Sequence, residues 1–189
     1  MNYDYLFDAE LMDRWITAYS LNKEHKIEKG DLLTTIPVLT KEWKLSFEFK
    51  TNKIEERFQQ VLHMTTGGKG AGSGAKYGDR TPAIWRHSSR GFLISSAVGG
   101  KYSYAKYFKP PPRPRRWVKI EVGQELVASE IIYSISINNK KVLTVKNSKP
   151  PQFENVKVFA GSPWYTPVDG YIRNLLIEQK GKGRCSLRY

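Results

Sequence analysis

The stretch RWVKIEVGQELVASEIIYSISINNKKVLTVKN, residues 116–147, contains strand and turn patterns that can be recognised without tertiary information. Apolar and polar residues alternate over Val118–Val122 and again over Ile131–Ile137, which is the period of a half-buried strand. Asn138 and Asn139 follow, and asparagine tolerates the positive φ of a tight hairpin turn. The stretch therefore predicts antiparallel sheet.

Similar strand patterns occur along most of the 189-residue chain. Turn signals separate ten or eleven short strands, and no helical pattern lies between them, which is typical of a sandwich or barrel. We expect an all-β fold, a two-sheet antiparallel β-sandwich of the jelly-roll type. The further predicted strands are residues 32–39, 43–49, 59–66, 81–87, 91–98, 156–160 and 171–178.

The two ends of the chain differ from this β-rich region. Apolar residues recur every four positions from Phe7 to Tyr19, which predicts a short N-terminal helix over Leu6–Tyr19. We expect three parts: a helical arm and linker at 1–29, the sandwich at 30–178, and a basic flexible tail at 179–189. A lone cysteine, Cys185, lies in the tail and could link two copies through a disulfide in an oxidising compartment.

Charge restricts the expected partners. The chain has 31 Lys and Arg against 18 Asp and Glu, a formal net charge of +13, so it should be attracted to polyanions. Anionic polysaccharide, nucleic acid, anionic membrane surfaces and acidic proteins all satisfy this condition. No apolar run is long enough to predict a membrane span, and the acidic N-terminal residues lack the pattern of a secretory signal.

The basic charge is concentrated between Lys101 and Trp117, where six Lys and Arg and no acid are interleaved with aromatic residues and prolines. Arginine binds sulfate and carboxylate groups bidentately, and aromatic rings stack on sugar faces. We predict ligand binding by this basic aromatic loop, with two tryptophans as stacking platforms. The predicted ligand-binding residues are Lys101, Tyr102, Tyr104, Lys106, Arg113, Arg115, Arg116, Trp85 and Trp164.

Four strings of this chain resemble a known superfamily: WKLSFEF from Trp43, WVKIEV from Trp117, YSISINNKKVLTVKN from Tyr133, and ENVKVFAGSPWYTPVDGYIRNLLIE from Glu154. They are similar to the concanavalin A-like lectin/glucanase superfamily, and most similar to its laminin-G-like and pentraxin-like domains of animal extracellular proteins. The resemblance covers about Gly30–Glu178. It implies an extracellular sandwich that binds sugars, glycosaminoglycans or proteins.

The resemblance also implies calcium at one rim of the sandwich, because many of these domains hold that ion. Calcium requires several oxygen ligands, with carboxylates supplying much of the charge. Asp79, at the end of the glycine-rich loop Gly67–Asp79, and Asp169 are the candidate ligands. The same loop lacks the GxxxxGK[ST] pattern of a phosphate-binding loop, so we interpret it as a mobile or ligand-binding loop.

Catalytic signals are weaker than binding signals. The ExDxxE-like strand of the superfamily's hydrolases is absent from this chain, and His63 is the candidate general base if the chain were a polysaccharide lyase. We therefore predict a noncatalytic binding module for carbohydrate, in particular anionic glycan. The alternatives are a protein-interaction or matrix-assembly domain of an extracellular protein and a polysaccharide-cleaving enzyme. Nucleic acid is expected to bind only nonspecifically.

Overall fold

The computed structural model describes residues 14–53, 55–67 and 75–181, and these form two antiparallel β-sheets. The strands are β1 Trp15–Leu21, β2 His25–Lys26, β3 Asp31–Leu39, β4 Trp43–Thr51, β5 Gln59–Thr65, β6 Ala83–His87, β7 Gly91–Val98, β8 Lys101–Phe108, β9 Val118–Val127, β10 Glu130–Ile137, β11 Lys140–Lys146, β12 Phe153–Ala160 and β13 Gly170–Lys180. None of the described residues belongs to a helix that could span a membrane.

The strands are divided between a seven-stranded and a six-stranded sheet. The seven-stranded sheet has the order β1-β13-β4-β9-β10-β11, with β2 added beside β13, and the six-stranded sheet has the order β3-β12-β5-β6-β7-β8. Their inner faces pack together, as the edge-to-face pair Phe49–Phe92 and the 2.7 Å hydrogen bond between the Ser96 and Tyr133 hydroxyls show. The predicted antiparallel sandwich is confirmed.

The hairpin predicted at Asn138 and Asn139 is present, and a second hairpin precedes it within residues 116–147. Strands β9 and β10 are joined through Ala128 and Ser129, with φ of 47° and 68°, and β10 and β11 through Asn138 and Asn139, with φ of 50° and 62°. Two consecutive positive φ values are the signature of the two-residue turn whose twist matches that of the flanking strands. The local alternation of residues therefore determines three neighbouring strands of the sheet.

Strand β4 shows how the core is built. Leu45, Phe47 and Phe49 are at most 1% exposed, and the residues between them are partly exposed towards water. Each such side chain contributes about 2 kcal/mol to folding through removal of apolar surface from water. Alternation along β4 thus directs one face into the sandwich and leaves the other to charged side chains.

Three expectations about elements change. Trp15–Tyr19, the described end of the predicted helix, is part of strand β1, and the preceding residues lie outside the described chain. A spacing of four residues places side chains on one side of a helix but also on one face of a strand, and Trp, Ile, Thr and Tyr favour strand.

Lys101–Phe108, predicted as loop, is edge strand β8. The predicted linker contains β2, and Cys185 lies outside the described residues.

Candidate functional site

The outer face of the six-stranded sheet carries aromatic and hydrogen-bonding side chains. Register pairs His63 with Ala83 and Ala83 with Ser95, so these residues share that face. Trp85 follows Ala83 by two positions and lies on it as well. Trp85 is 5% exposed but is not part of the core between the sheets. Loops therefore cover part of this outer face and enclose polar residues there.

His63 connects two of these loops. Its Nε2 lies 2.7 Å from the carbonyl oxygen of Asp79, and its Nδ1 lies 3.3 Å from the Ser162 hydroxyl. Because a carbonyl only accepts, Nε2 carries the hydrogen and Nδ1 accepts from Ser162, whose Oγ accepts in turn from the Trp164 backbone N–H. Burial lowers the pKa of His63 to about 4, with a further lowering from the Arg80 charge. The ring is therefore neutral near pH 7.

Two tryptophans flank His63. The Trp164 ring centroid lies 5.3 Å from that of His63 in an edge-to-face arrangement, and Trp164 is 37% exposed. The Trp85 ring centroid lies 6.2 Å from that of His63, and it lies 5.8 Å from that of Tyr165 in an edge-to-face arrangement. Trp164 is thus the ring that a ligand can reach, whereas Trp85 is nearly buried.

Arg80 places a positive charge next to the Trp85 ring. Its Cζ lies 5.1 Å from the Trp85 ring centroid, within cation–π range, and its Nη1 donates a 2.7 Å hydrogen bond to the Ser103 hydroxyl. Ser103 also contacts the Ser95 hydroxyl at 2.9 Å. Arg80 is half-buried. The Trp85 ring and the Ser103 hydroxyl therefore hold the Arg80 guanidinium in place on this outer face.

The structure separates the predicted basic residues. Lys101 is two positions from Ser103 and shares its face of β8, beside Arg80. Tyr102, Tyr104 and Lys106 alternate to the other side of that strand. Arg113, Arg115 and Arg116 follow β8, and two of them, Arg113 and Arg116, line a groove of about 600 Å³ together with Trp117, Lys140 and three prolines. The residues predicted to form one binding loop therefore lie on two separate surfaces.

The predicted calcium ligands do not meet in a ligand cluster. Asp79 is buried, and its Oδ2 accepts a 2.6 Å hydrogen bond from the Lys76 backbone N–H. Asp169 is exposed, and its Oδ1 accepts from the Asn52 amide at 2.8 Å. Within residues 14–53, 55–67 and 75–181, no three His, Cys, Asp or Glu side chains come together as metal ligands. Calcium binding therefore stays an untested prediction.

The residues predicted from the sequence include Trp85 and Trp164 but not Arg80 and Ser103, which the structure brings to the same face. The available signal was the string YGDRTPAIW from Tyr77 to Trp85, which places a basic residue directly before a strand with an aromatic residue at its centre. Whether that arginine reaches the tryptophan depends on the path of the chain between them. Residue patterns along a strand do not contain this information.

Comparisons with known proteins agree on the fold. No protein-family model matches this chain, and no curated protein does. Among solved structures, the SAP-like heptameric pentraxin from Limulus polyphemus matches 88% of this chain and 76% of its own, at 10% identity and a TM-score of 0.50. The CBM40 of the Ruminococcus gnavus IT-sialidase, solved with alpha2,3 sialyllactose bound, matches 82% of this chain and 90% of its own, at 13% identity and a TM-score of 0.54.

A third similar structure is the binding domain of botulinum neurotoxin serotype D. It matches 90% of this chain at 10% identity and a TM-score of 0.55, and the match spans 42% of that chain. All three are lectin-like jelly rolls. The resemblance to concanavalin A-like and pentraxin-like domains is therefore confirmed at the level of the fold.

Proposed function

We propose that this chain is a noncatalytic carbohydrate-binding module whose glycan carries a carboxylate and binds on the outer face of the six-stranded sheet. The observation that carries the proposal is that Arg80 is held on the Trp85 ring, while the exposed Trp164 packs on His63, which also contacts Trp85. This arrangement offers an anion-binding donor next to a ring that stacks on a sugar face. A module of the same fold, the sialidase CBM40, was solved with sialyllactose bound, which makes sialylated glycans the first ligands to test.

His63 supports a binding role over a catalytic one. Both of its ring nitrogens are engaged in hydrogen bonds, and burial keeps the ring neutral with a pKa of about 4. A general base requires a free nitrogen within reach of the substrate proton and a pKa near the working pH. His63 instead fixes the two loops that hold Asp79 and Trp164.

The basic residues outside this face have a second role in the proposal, the long-range attraction of anionic glycans. Lys109, Arg113, Arg116 and Lys140 are exposed and line one groove, so their charges add up in a small region. We expect the double substitution Arg113→Ala and Arg116→Ala to lower the salt concentration at which the chain elutes from heparin. Affinity for a short sialylated glycan at physiological salt should be unchanged, because such charges are screened beyond about 8 Å.

The decisive experiment is calorimetric titration with 3′-sialyllactose. Arg80→Lys keeps the charge and removes the planar guanidinium that packs on the Trp85 ring, so affinity should fall about tenfold or more. Trp164→Ala should cause a loss of about three- to tenfold by removing the stacking surface. The matched control is Arg173→Lys, because Arg173 also stacks on a tryptophan, with its Cζ 4.0 Å from the Trp117 centroid, but on the other sheet.

Two results would contradict the proposal. One is wild-type chain that fails to bind any acidic glycan on an array under conditions where its thermal unfolding is intact. The other is sialyllactose binding that Arg80→Lys and Trp164→Ala leave unchanged, because the ligand would then lie elsewhere. Equal losses in Arg80→Lys and Arg173→Lys would point to a general effect of replacing a stacked arginine and not to a site at Arg80.

A further inference from the structure

A second aromatic cluster lies on the same outer face, and the proposed glycan site does not include it. Phe58 lies 4.7 Å from His87 and 6.2 Å from Tyr107, measured between ring centroids. The Arg90 guanidinium lies 6.0 Å from both the Phe58 and the Tyr107 ring. Phe58 is 36% and Tyr107 51% exposed, so two large rings in contact with each other are open to solvent.

Strand register fixes where this cluster lies relative to the first. His87 follows Trp85 by two positions on β6, which is about 7 Å along the strand on the same face. Trp85 pairs with Leu93, and Leu93 pairs with Tyr107, so Tyr107 lies two strands from Trp85, at about 10 Å. The two clusters are therefore neighbours on one continuous surface.

The cluster has the donors and the rings of a sugar subsite. His87 Nδ1 accepts a 3.2 Å hydrogen bond from the Ser89 backbone N–H, so in the neutral ring the hydrogen lies on Nε2. Arg90 contributes further donors beside the rings. Isolated exposed aromatic residues are common on protein surfaces, but rings grouped with oriented polar donors on one face mark binding sites.

We infer that Phe58, Tyr107, His87 and Arg90 form a second subsite, which stacks a further sugar ring of the same glycan. The ligand is then an oligosaccharide chain that extends from the Arg80–Trp164 site across β6 and β7, and not a single terminal sugar. This inference rests on the proposed function, because the first site defines where the chain begins. A separation of about 10 Å is more than one ring covers, so the subsite acts only on longer ligands.

The test compares 3′-sialyllactose with a longer linear sialylated oligosaccharide that has the same terminal linkage. Wild-type chain should bind the longer glycan about three- to tenfold more tightly, which is the range that one additional aromatic contact supplies. Tyr107→Ala should remove this advantage and leave trisaccharide affinity unchanged, whereas Tyr107→Phe should retain it. Tyr102→Ala is the matched control, because Tyr102 is an exposed tyrosine of the same strand that alternates to the other side.

The possible outcomes separate the two claims. If Tyr107→Ala keeps the preference for the longer glycan, or if wild-type chain shows no preference, the subsite is disproved and the Arg80 site stands. If Tyr107→Ala weakens both ligands equally, the cluster belongs to the first site and a separate subsite is disproved. If wild-type chain binds neither ligand, the proposed function and the subsite fail together.

Discussion

The outer faces of the two sheets differ in their surface chemistry. The seven-stranded sheet presents exposed charges in ion pairs, and the six-stranded sheet presents aromatic rings above buried polar groups such as His63 and Ser95. Exposed ion pairs keep a surface hydrated and contribute little to stability. The ion pairs of the first face are Lys44–Glu125, Lys50–Glu24, Lys119–Glu121 and Arg173–Glu48.

Two arginines, one on each outer face, illustrate this difference. Arg80 and Arg173 each lie over a tryptophan ring, Trp85 and Trp117 respectively. Arg173 also forms an ion pair with Glu48, and Arg80 donates a hydrogen bond to the Ser103 hydroxyl. The same arginine–tryptophan stack therefore lies beside an ion pair on one face, and on the other face it belongs to the proposed ligand-binding site.

The largest expected effect is that of His63→Ala. The change removes a fully buried ring and leaves the Asp79 carbonyl and the Ser162 hydroxyl without their partner, which should cost about 3 kcal/mol of unfolding free energy. Glu48→Ala on the other face should cost about 0.5 kcal/mol. Urea denaturation of both variants measures the difference. Equal losses of unfolding free energy in the two variants would show that the two outer faces do not differ in their contribution to stability.

Acidification should also act mainly through the six-stranded face. His63 has a pKa of about 4 in the folded chain, below the value of about 6.5 in the unfolded chain, so only the unfolded chain takes up its proton between these pH values. The stability is therefore complete above about pH 6.5 and decreases as the pH falls towards 4, by up to about 3 kcal/mol.

The comparison that isolates this effect uses His63→Gln, which cannot titrate. Urea midpoints of both proteins at pH 7 and pH 4.5 share the contributions of all carboxylates, so the difference between the two pH slopes belongs to His63. We expect a shallower pH dependence for His63→Gln. Identical slopes would show that the folded chain accepts the proton at no cost.

The smallest effect should come from Lys119→Ala, which breaks the exposed ion pair with Glu121 at 2.9 Å. Such pairs are worth well under 1 kcal/mol, because water screens them and the long side chains lose conformational freedom. Unfolding free energy and sialyllactose affinity should both remain within error of the wild type. A loss of affinity in this variant would place the ligand on the wrong sheet for the proposal.

Local patterns predicted the sandwich because they report which residues alternate between core and water. The hairpin at Asn138 and the amphipathic strand β4 are both read from neighbouring residues alone. Strand β8 was missed because basic residues and the prolines after Phe108 indicated loop, although Tyr and Phe favour an edge strand. Trp15 was misassigned because a four-residue repeat suits helix and strand equally.

The site was predicted only in part for a different reason. Trp85 and Trp164 stand out as large aromatic residues near turns, and the structure brings both to His63. Arg80 and Tyr107 join them through the register between strands and the path of a loop. Such contacts join residues far apart in sequence, and no local period records them. The grouping of these residues on one sheet face is therefore visible only after folding.

The groove beside Arg113 has a consequence for self-association. Its lining includes Lys140 and Val142 of β11 and Lys109, which directly follows β8, and these two strands are each the last of their sheet. Terminal strands expose backbone donors and acceptors that can pair with another molecule, and charged side chains there keep copies apart by repulsion. The lysines on these two strands are Lys101, Lys106, Lys140, Lys141 and Lys146. A dense polyanion that binds these lysines would neutralise their charge and remove the repulsion. Copies of the chain that are crowded on a polyanion should therefore begin to aggregate through the edges of these strands.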